Sequence, residues 1–324
     1  MTTVRLKDGV RIALDSSREV VADASDPGGA VAVLSHAHGD HLYDDPPDAV
    51  VASKLTRELA GVRRNGPVPE SRRPDWIDLL PAGHVPGSRA ALIEGEKRVL
   101  YTGDCSTRDR FGMTGFDPVE ADVLVIESTY GKPAYTLPEQ SAVEREIVDW
   151  LTDTRDRPVL LLGYALGRAQ ELIELADRAD RDRIRYTPAI EALNEPIAAA
   201  RGEPFPGSVA SGFQPEPGDA LILPSTTGSL DFVADLRADG ALVAGFSGWA
   251  VADSYRYARD LDRAVPLSDH CDYEELLGVV RAVNPEQVYT VHGFVDEFAS
   301  AIRAELGIPA QALKAGQATL GDFQ

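Results

Sequence analysis

The sequence predicts an α/β fold, and three observations carry that expectation. The apolar run Val31-Ala32-Val33-Leu34 ends abruptly in the polar loop Ser35-His36-Ala37-His38-Gly39-Asp40-His41, as a strand does when it delivers side chains to its own end. Residues 122–126 are almost wholly apolar, the pattern of a strand buried on both faces. Between Val159 and Phe246 strand and helix patterns alternate, which predicts a compact α/β insert with a mainly parallel sheet.

In chain order, short β segments at 4–6 and 10–14 precede the Val31 strand, another lies near Val50, and Ser53 is placed to cap a helix over 53–59. The turn-rich loop Gly83-His84-Val85-Pro86-Gly87-Ser88 presents one histidine, and a hairpin with strands 90–93 and 99–101 ends in Thr102-Gly103-Asp104. The 122–126 strand delivers Glu127-Ser128-Thr129-Tyr130, and Pro138 opens an amphipathic helix to 151. The alternating region gives strands at 159–162, 220–223 and 241–246, with helices over 168–179 and 229–236. A strand at 264–267 leads into Ser268-Asp269-His270-Cys271-Asp272. A helix over 273–283, a strand over 287–291 ending in His292-Gly293, and a helix over 297–306 close the pattern.

With 324 residues, 44% of them hydrophobic, the chain is long enough for one large domain or two modest ones. Residues 1–30 show no targeting pattern and no run reaches membrane-spanning length, so a soluble cytoplasmic protein is expected. Cys105 and Cys271 form no CxxC pair and are expected to fill space, although each adjoins a candidate site residue. The 52 acidic residues against 32 basic ones give a net charge of −20, spread along the chain as on a salt-adapted, halophile-type surface. Such a charge repels nucleic acid at low salt, but at about 1 M salt the screening length is about 3 Å, so a polynucleotide substrate is not excluded. One window runs the other way: Lys54, Arg57, Arg63, Arg64, Arg72 and Arg73 stand against only Glu58 and Glu70, a candidate phosphate-tracking face or a solvated helix and loop.

Imidazole nitrogens and carboxylate oxygens at the spacing of the 35–41 loop suit zinc-like divalent ions, a polar surface loop being the plainer alternative. His36 and His38, two apart on extended chain, share a side and can hold one metal, while Asp40 and His41, past the turn, can hold a second. Asp104, just after a strand and a glycine, is placed to bridge two metals, or is an ordinary turn residue. The six histidines, His36, His38, His41, His84, His270 and His292, all lie in strand-end or glycine-flanked loops. One convergent site using all of them, completed by Asp40 and Asp104, is the economical expectation. Elsewhere, Gly163-Tyr164-Ala165-Leu166-Gly167-Arg168 and Pro224-Ser225-Thr226-Thr227-Gly228-Ser229 open helices whose N–H groups and hydroxyls can receive a phosphate. Arg168, Ser225 and Thr226 are therefore candidate substrate contacts, with helix capping the alternative for the hydroxyls, and Phe246 and Trp249 are candidates to stack on bases or to pack inside.

HAHGDH, GHVPGS, YTGD, ESTY, SDHCD and VHG, in this order, resemble the motifs of the metallo-β-lactamase fold in its β-CASP nuclease branch, over nearly the full chain. The resemblance implies an αββα sandwich built from 1–131 and 264–324, with a smaller α/β β-CASP-like domain inserted over 132–263. It implies two zinc ions, or manganese, one held by His36, His38 and His84 and the other by Asp40, His41 and His292, with Asp104 bridging. Asp15 matches the early aspartate that orients the metal site from behind. Glu127 matches the acid that partners His270, and His270 the histidine that protonates the leaving oxygen; with Asp40 these form the implied catalytic set. Two such ions can activate a water and clamp a phosphate for in-line attack.

The Gly167-Arg168-Ala169-Gln170-Glu171-Leu172 segment and the histidine at 292 resemble the RNA 3′-end-processing branch, which includes the nuclease of the cleavage and polyadenylation factor. The compact length and Phe246-Ser247-Gly248-Trp249 resemble the DNA-ligase-associated exonucleases. A nuclease acting on single-stranded RNA is the favoured expectation, DNA trimming of the repair type the alternative, and the short insert favours single strands over duplexes. A small-molecule hydrolase of the same superfamily and a non-catalytic scaffold are the remaining readings. The Glu127 and His270 pair argues against the first, and the filled ligand positions against the second. No membrane partner is expected; a homodimer, through β edges or the tail 313–323, and a processing or repair complex are both open.

Overall fold

The structure, a computed structural model, describes residues 2–212 and 214–314; beyond Lys314 the tail singled out above lies outside the described residues. The chain divides into two compact units. The first runs through Asp109, takes up again over Met113–Thr136 and resumes at His270, and the second consists of Arg110–Gly112 and Leu137–Asp269.

The first unit begins with an antiparallel hairpin, β1 (Thr3–Lys7) and β2 (Gly9–Ala13), continued antiparallel by β3 (Glu19–Ala22), to which β4 (Val31–Val33) is parallel. Short strands β5 (Ala49–Val50) and β6 (Glu70–Ser71) flank helix α1 (Lys54–Arg64). Ser53 caps α1 by accepting the Thr56 N–H at 3.0 Å. The helix continues past the expected end at 59 until Asn65 takes the left-handed conformation (φ 48°) and closes the last turn. An antiparallel meander follows, β7 (Ile77–Pro81), β8 (Arg89–Ile93) and β9 (Val99–Tyr101), with β10 (Val123–Ser128) parallel to β9.

The second unit alternates α2 (Gln140–Asp153), β11 (Val159–Gly163), α3 (Arg168–Arg178), β12 (Arg183–Tyr186), α4 (Pro188–Arg201), β13 (Ser208–Val209), β14 (Asp219–Pro224), α5 (Asp231–Ala238), β15 (Leu242–Phe246), α6 (Asp253–Ala258) and β16 (Arg263–Val265). The chain then re-enters the first unit with α7 (Tyr273–Val283), β17 (Gln287–Gly293), α8 (Val295–Ala301) and β18 (Ala310–Ala312).

Two sheets make the first unit a sandwich, one ordered β1-β2-β3-β4 and the other β18-β17-β10-β9-β8-β7. Their facing sides share one core, in which Val4, Ile12, Val20 and Val33 meet Ile77, Ile93, Val99 and Val125. The two-residue period of β10 does the sorting: Val123 and Val125 join that core, while Leu124 and Ile126 pack on the opposite face with Leu276, Leu277 and Val280 of α7 and Phe298 of α8. Burying each such side chain is worth about 1.5–3 kcal/mol, which is why this strand reads as a continuous apolar run.

In the second unit the sheet is wholly parallel, ordered β13-β12-β14-β11-β15-β16. Val159 and Leu161 of β11 pack with Ile147, Leu172, Ile173 and Ile190, and Leu160 and Leu162 pack on the other face with Val233 and Leu261. The parallel sheet matches the expectation, but β12 and α4 lie in a stretch where no element was expected. Thr187 caps α4 with Pro188 in its first turn, and burial of Ile190, Leu193 and Ile197 holds a helix that the interior Pro196 disguises in sequence. Among the described residues no helix is long and apolar enough to cross a membrane.

Candidate metal centre

The centre is built in the first unit, at the loops that follow β4, β7 and β9 and at the segment that opens its return at His270. Leu34 N–H still pairs with Val51 O at 3.0 Å, so the chain leaves the sheet only at Ser35 and aims the next six residues from its edge. His36 is buried, His38 half-buried and His41 buried, while Gly39 and Asp40 are exposed. His84 is fully buried in a turn closed by Ser88 N–H to Val85 O at 2.9 Å. Two glycines let these loops approach. Gly83 (φ +69°) would place a Cβ 2.1 Å from Ser106 O, and Gly103 (φ +55°) one 2.5 Å from the Ser35 Cβ, so neither tolerates a side chain.

These loops converge on Asp104. Its Oδ2 lies 3.5 Å from His36 Nε2, 3.4 Å from His41 Nε2 and 3.7 Å from His84 Nε2, and His84 Nε2 lies 3.1 Å from His38 Nδ1. Ligand atoms of His36, His38, His84 and Asp104 all fall within 4.8 Å of one another. The ring centroids of His36 and His41 are 4.1 Å apart, and those of His41 and His292 are 5.0 Å apart. Asp40 stands at the rim, its side chain 81% exposed and its Oδ2 3.9 Å from His41 Nε2. His292 is exposed and left-handed (φ 56°), because the register of β10 against β17 slips between Glu127 and Ser128 and skips it.

The donor set suits a divalent cation. His36 Nε2 is buried without a hydrogen bond, while its Nδ1 lies 2.9 Å from Ser35 Oγ. Burial, and then the neighbouring imidazoles His41, His84 and His38, push His36 well below the ordinary histidine value and keep it neutral, the form that ligates a metal. Burial also pushes His41 down, but Asp104, Asp23 and Asp40 outweigh it and raise His41 to about 10, so positive charge is favoured at this point.

Asp23, at the end of β3, is the residue that sequence reasoning missed. Its carboxylate accepts from Ser35 N–H at 2.8 Å, Ser35 Oγ, His41 Nδ1 at 2.9 Å and Tyr101 Oη at 2.7 Å. Burial raises this carboxyl, yet the contacts with His41 and Ser35 hold it below the usual range. With Nδ1 tied to Asp23, His41 presents Nε2 to Asp104. Asp15 does not do this. It is exposed in the turn after β2, where it accepts from Ser17 and Arg18 N–H and pairs with Arg18 Nε at 2.7 Å, so the expectation for Asp15 is corrected. The signal that separates the two is strand pairing: Ala22 is in register with Val33, which places Asp23 beside the histidine loop.

Beside this cluster, His270 Nδ1 lies 2.9 and 3.0 Å from the two oxygens of Glu127. Glu127 is fully buried and also accepts from Cys105 N–H at 2.9 Å and Thr129 N–H at 3.3 Å. Burial raises its carboxyl, but His270 and these donors hold it below the ordinary value. The His270 ring is 4.5 Å from that of His84, and Asp104, Glu127 and His270 again form a group within 4.8 Å. Cys105 and Cys271 are both buried, their sulfurs 3.9 Å apart, with Cys271 N–H donating to Cys105 O at 2.8 Å.

Four expected substrate contacts lie in the second unit. Arg168 is 1% exposed and paired with Glu171 at 2.7 Å and Asp269 at 3.0 Å, and Arg110 meets the same Glu171, so Arg168 ties buried carboxylates together and the phosphate reading is corrected. Ser225 and Thr226 sit on a short turn after β14 and line, with Leu162, Val233 and Tyr255, a cavity of about 830 Å³. Trp249 is half-buried on the turn Gly248–Val251, and Phe246 is buried in the core.

Residues 263–313, which carry His270 and His292, match the Zn-dependent metallo-hydrolase RNA specificity domain. A protein of Opitutus terrae named "Probable DNA ligase" is 32% identical over 294 residues, 86% of this chain and 28% of that protein. A protein of Methanocaldococcus jannaschii named "RNase J-like protein" is 36% identical over 97 residues, 28% of this chain and 23% of its own. "Cleavage and polyadenylation specificity factor subunit 3" of Dictyostelium discoideum is 38% identical over 109 residues, 31% of this chain and 13% of its own. The chain thus spans less than a third of the length of each of these three relatives.

Proposed function

We propose that the chain belongs to the metallo-β-lactamase superfamily, in its β-CASP nuclease branch, and that it is a metal-dependent nuclease that hydrolyses phosphodiester bonds of single-stranded nucleic acid, with RNA 3′-end processing the favoured class. The observation that carries this reading is the Glu127–His270 pair beside Asp104 and His84, an acid–base pair at the rim of a cation-binding cluster. We assign the second unit as the β-CASP-type insert.

His36, His38 and His84 are assigned to one zinc or manganese ion and Asp40, His41 and His292 to another, with Asp104 between them. Such ions, when bound, supply a water of near-neutral pKa and offset charge on a phosphate. Asp23 orients His41, and Asp40, standing exposed at the rim, meets the substrate side. Glu127, kept ionised, holds Nδ1 of His270, so the transferable proton belongs to Nε2, which gives it to the leaving oxygen.

The match to the Opitutus protein over 86% of this chain favours a second reading, trimming of DNA strands in repair. Cleavage of matched, end-labelled single-stranded RNA and DNA at high salt with zinc or manganese tests both, with Asp40→Ala as the blank. RNA-selective cutting supports the first reading and stepwise DNA trimming the second. If metal-loaded protein cuts neither polymer above the blank, the nuclease reading is wrong.

A further inference from the structure

Of the six cations between Lys54 and Arg73, the structure accounts for four. Lys54 lies 3.6 Å from Glu58, Arg57 donates to Pro69 O at 2.8 Å, and Arg73 pairs with Asp78 at 2.8 Å. Arg64 donates to Tyr43 O at 2.6 Å and Leu42 O at 3.0 Å. The guanidiniums of Arg63 and Arg72 make no hydrogen bond and no ion pair among the described residues, and both residues are exposed. Their positions differ. Arg63 Nη2 is 3.5 Å from where a Cβ on Gly39 would sit, so its guanidinium lies against the metal-binding loop at Gly39, within electrostatic reach of Asp40.

Helix α1 is pinned at both ends to loops that carry metal-site histidines. At its start, Ser53 Oγ and Thr56 Oγ1 both donate to Gly87 O, at 2.7 and 2.8 Å, in the His84 loop. At its end, Arg64 grips the carbonyls of Leu42 and Tyr43, directly after His41. Arg63 is thereby carried on a helix fixed to the site. In a chain with 52 acids and 32 bases, a guanidinium that makes no ion pair among the described residues, at the edge of such a site, keeps its donors open to an outside anion. We propose that Arg63 is a positioning residue that grips a phosphate of the substrate strand beside the metal centre; this rests on the nuclease reading above. A guanidinium suits the task because its planar donors meet phosphate oxygens in pairs.

Arg63→Ala, Arg63→Lys and Arg72→Ala distinguish this role from that of a cation that merely complements the α1 C-terminus. Arg63→Ala should raise KM for a single-stranded oligonucleotide about tenfold with kcat nearly unchanged, and Arg63→Lys should recover part of the loss. In binding titrations across KCl concentrations, the slope of log K against log salt should be more positive than wild type by about 0.7 for Arg63→Ala, and unchanged for Arg72→Ala. Metal content should stay at the wild-type level in all three. If wild type cuts and Arg63→Ala keeps its KM and salt slope, or loses only thermal stability, the assignment is overturned while the nuclease reading stands. Wild-type protein that neither binds nor cuts RNA or DNA overturns both.

Discussion

Asp23→Asn separates the two aspartates that compete for the role of orienting the centre. The Asp23 side chain is 3% exposed and accepts four contacts, from Ser35 N–H, Ser35 Oγ, His41 Nδ1 and Tyr101 Oη. An amide keeps one accepting oxygen and turns an NH2 group towards the remaining donors, so at least one buried donor loses its partner. Each orphaned donor costs about 1–3 kcal/mol, and loss of a carboxylate behind a ligating histidine costs roughly 10–100-fold in metal affinity. Chelator competition with zinc should therefore show Asp23→Asn weakened by about 1.4–2.7 kcal/mol in binding. Urea unfolding of the metal-free protein should show a loss of about 1–3 kcal/mol. Asp15→Asn, which touches only its own exposed turn, should leave metal affinity at wild type and stability within about 0.5 kcal/mol. A weakened metal site in Asp15→Asn, with Asp23→Asn at the wild-type value, would refute the reasoning.

Three further outcomes are expected. His270→Ala should retain its metal yet lose about 10²–10⁴-fold in cleavage rate, and an unchanged rate would remove His270 from the proton-transfer role. Glu127 contributes stability that is present above its unfolded value of about 4.3 and is lost as pH falls through its depressed folded value. The stability difference between wild type and Glu127→Gln, followed by urea midpoint, should accordingly shrink as pH falls from about 6 to about 3; a difference that grows with acid contradicts it. In the second unit, Glu171→Ala removes the carboxylate that Arg110 and Arg168 share inside the core and should cost about 3–5 kcal/mol of stability; a loss below about 1 kcal/mol would mean that the two guanidiniums find other acceptors.

How much of this was legible in the sequence depended on whether the information was local. The 273–283 helix was read to its last residue because Asp272 and Glu275 form a reciprocal cap at one end and Asn284 closes the other, all within the segment itself. The histidine loops were legible for the same reason, since clustering of ligands after a strand is a local pattern. Asp23 was not, because its role depends on β3 lying parallel beside β4, a pairing with no local mark. Arg168 failed in the opposite sense. Its place at a helix start looked like a phosphate site, and only the burial of Glu171 and Asp269 around it shows where its charge is spent. Helix α4 was hidden by Pro196, whose missing N–H reads as a break although the packing of Ile190, Leu193 and Ile197 overrides it.

The net charge of −20 leads to one more prediction, and the structure shows why it has a definite sign. Arginines here are shared between acids: Arg155 reaches Asp180 and Asp182, Arg183 reaches Glu216 and Asp219, Arg237 reaches Asp260 and Asp262, and Arg108 reaches Asp272 and Glu275. Sharing leaves the excess carboxylates repelling one another at longer range. The screening length falls from about 8 Å at 0.15 M to about 3 Å at 1 M salt, so added salt removes the long-range repulsion first and leaves contacts of hydrogen-bond length largely intact. Exposed pairs are in any case worth only about 0–1 kcal/mol each. The melting temperature should therefore rise between about 0.1 and 2 M KCl, and KM for a single-stranded oligonucleotide should fall over the first part of that range as the general repulsion of phosphate is screened before the local attraction at the metal loop. A melting temperature that drops steadily with KCl would mean that the shared ion pairs, not the excess acid, dominate the electrostatics of the fold.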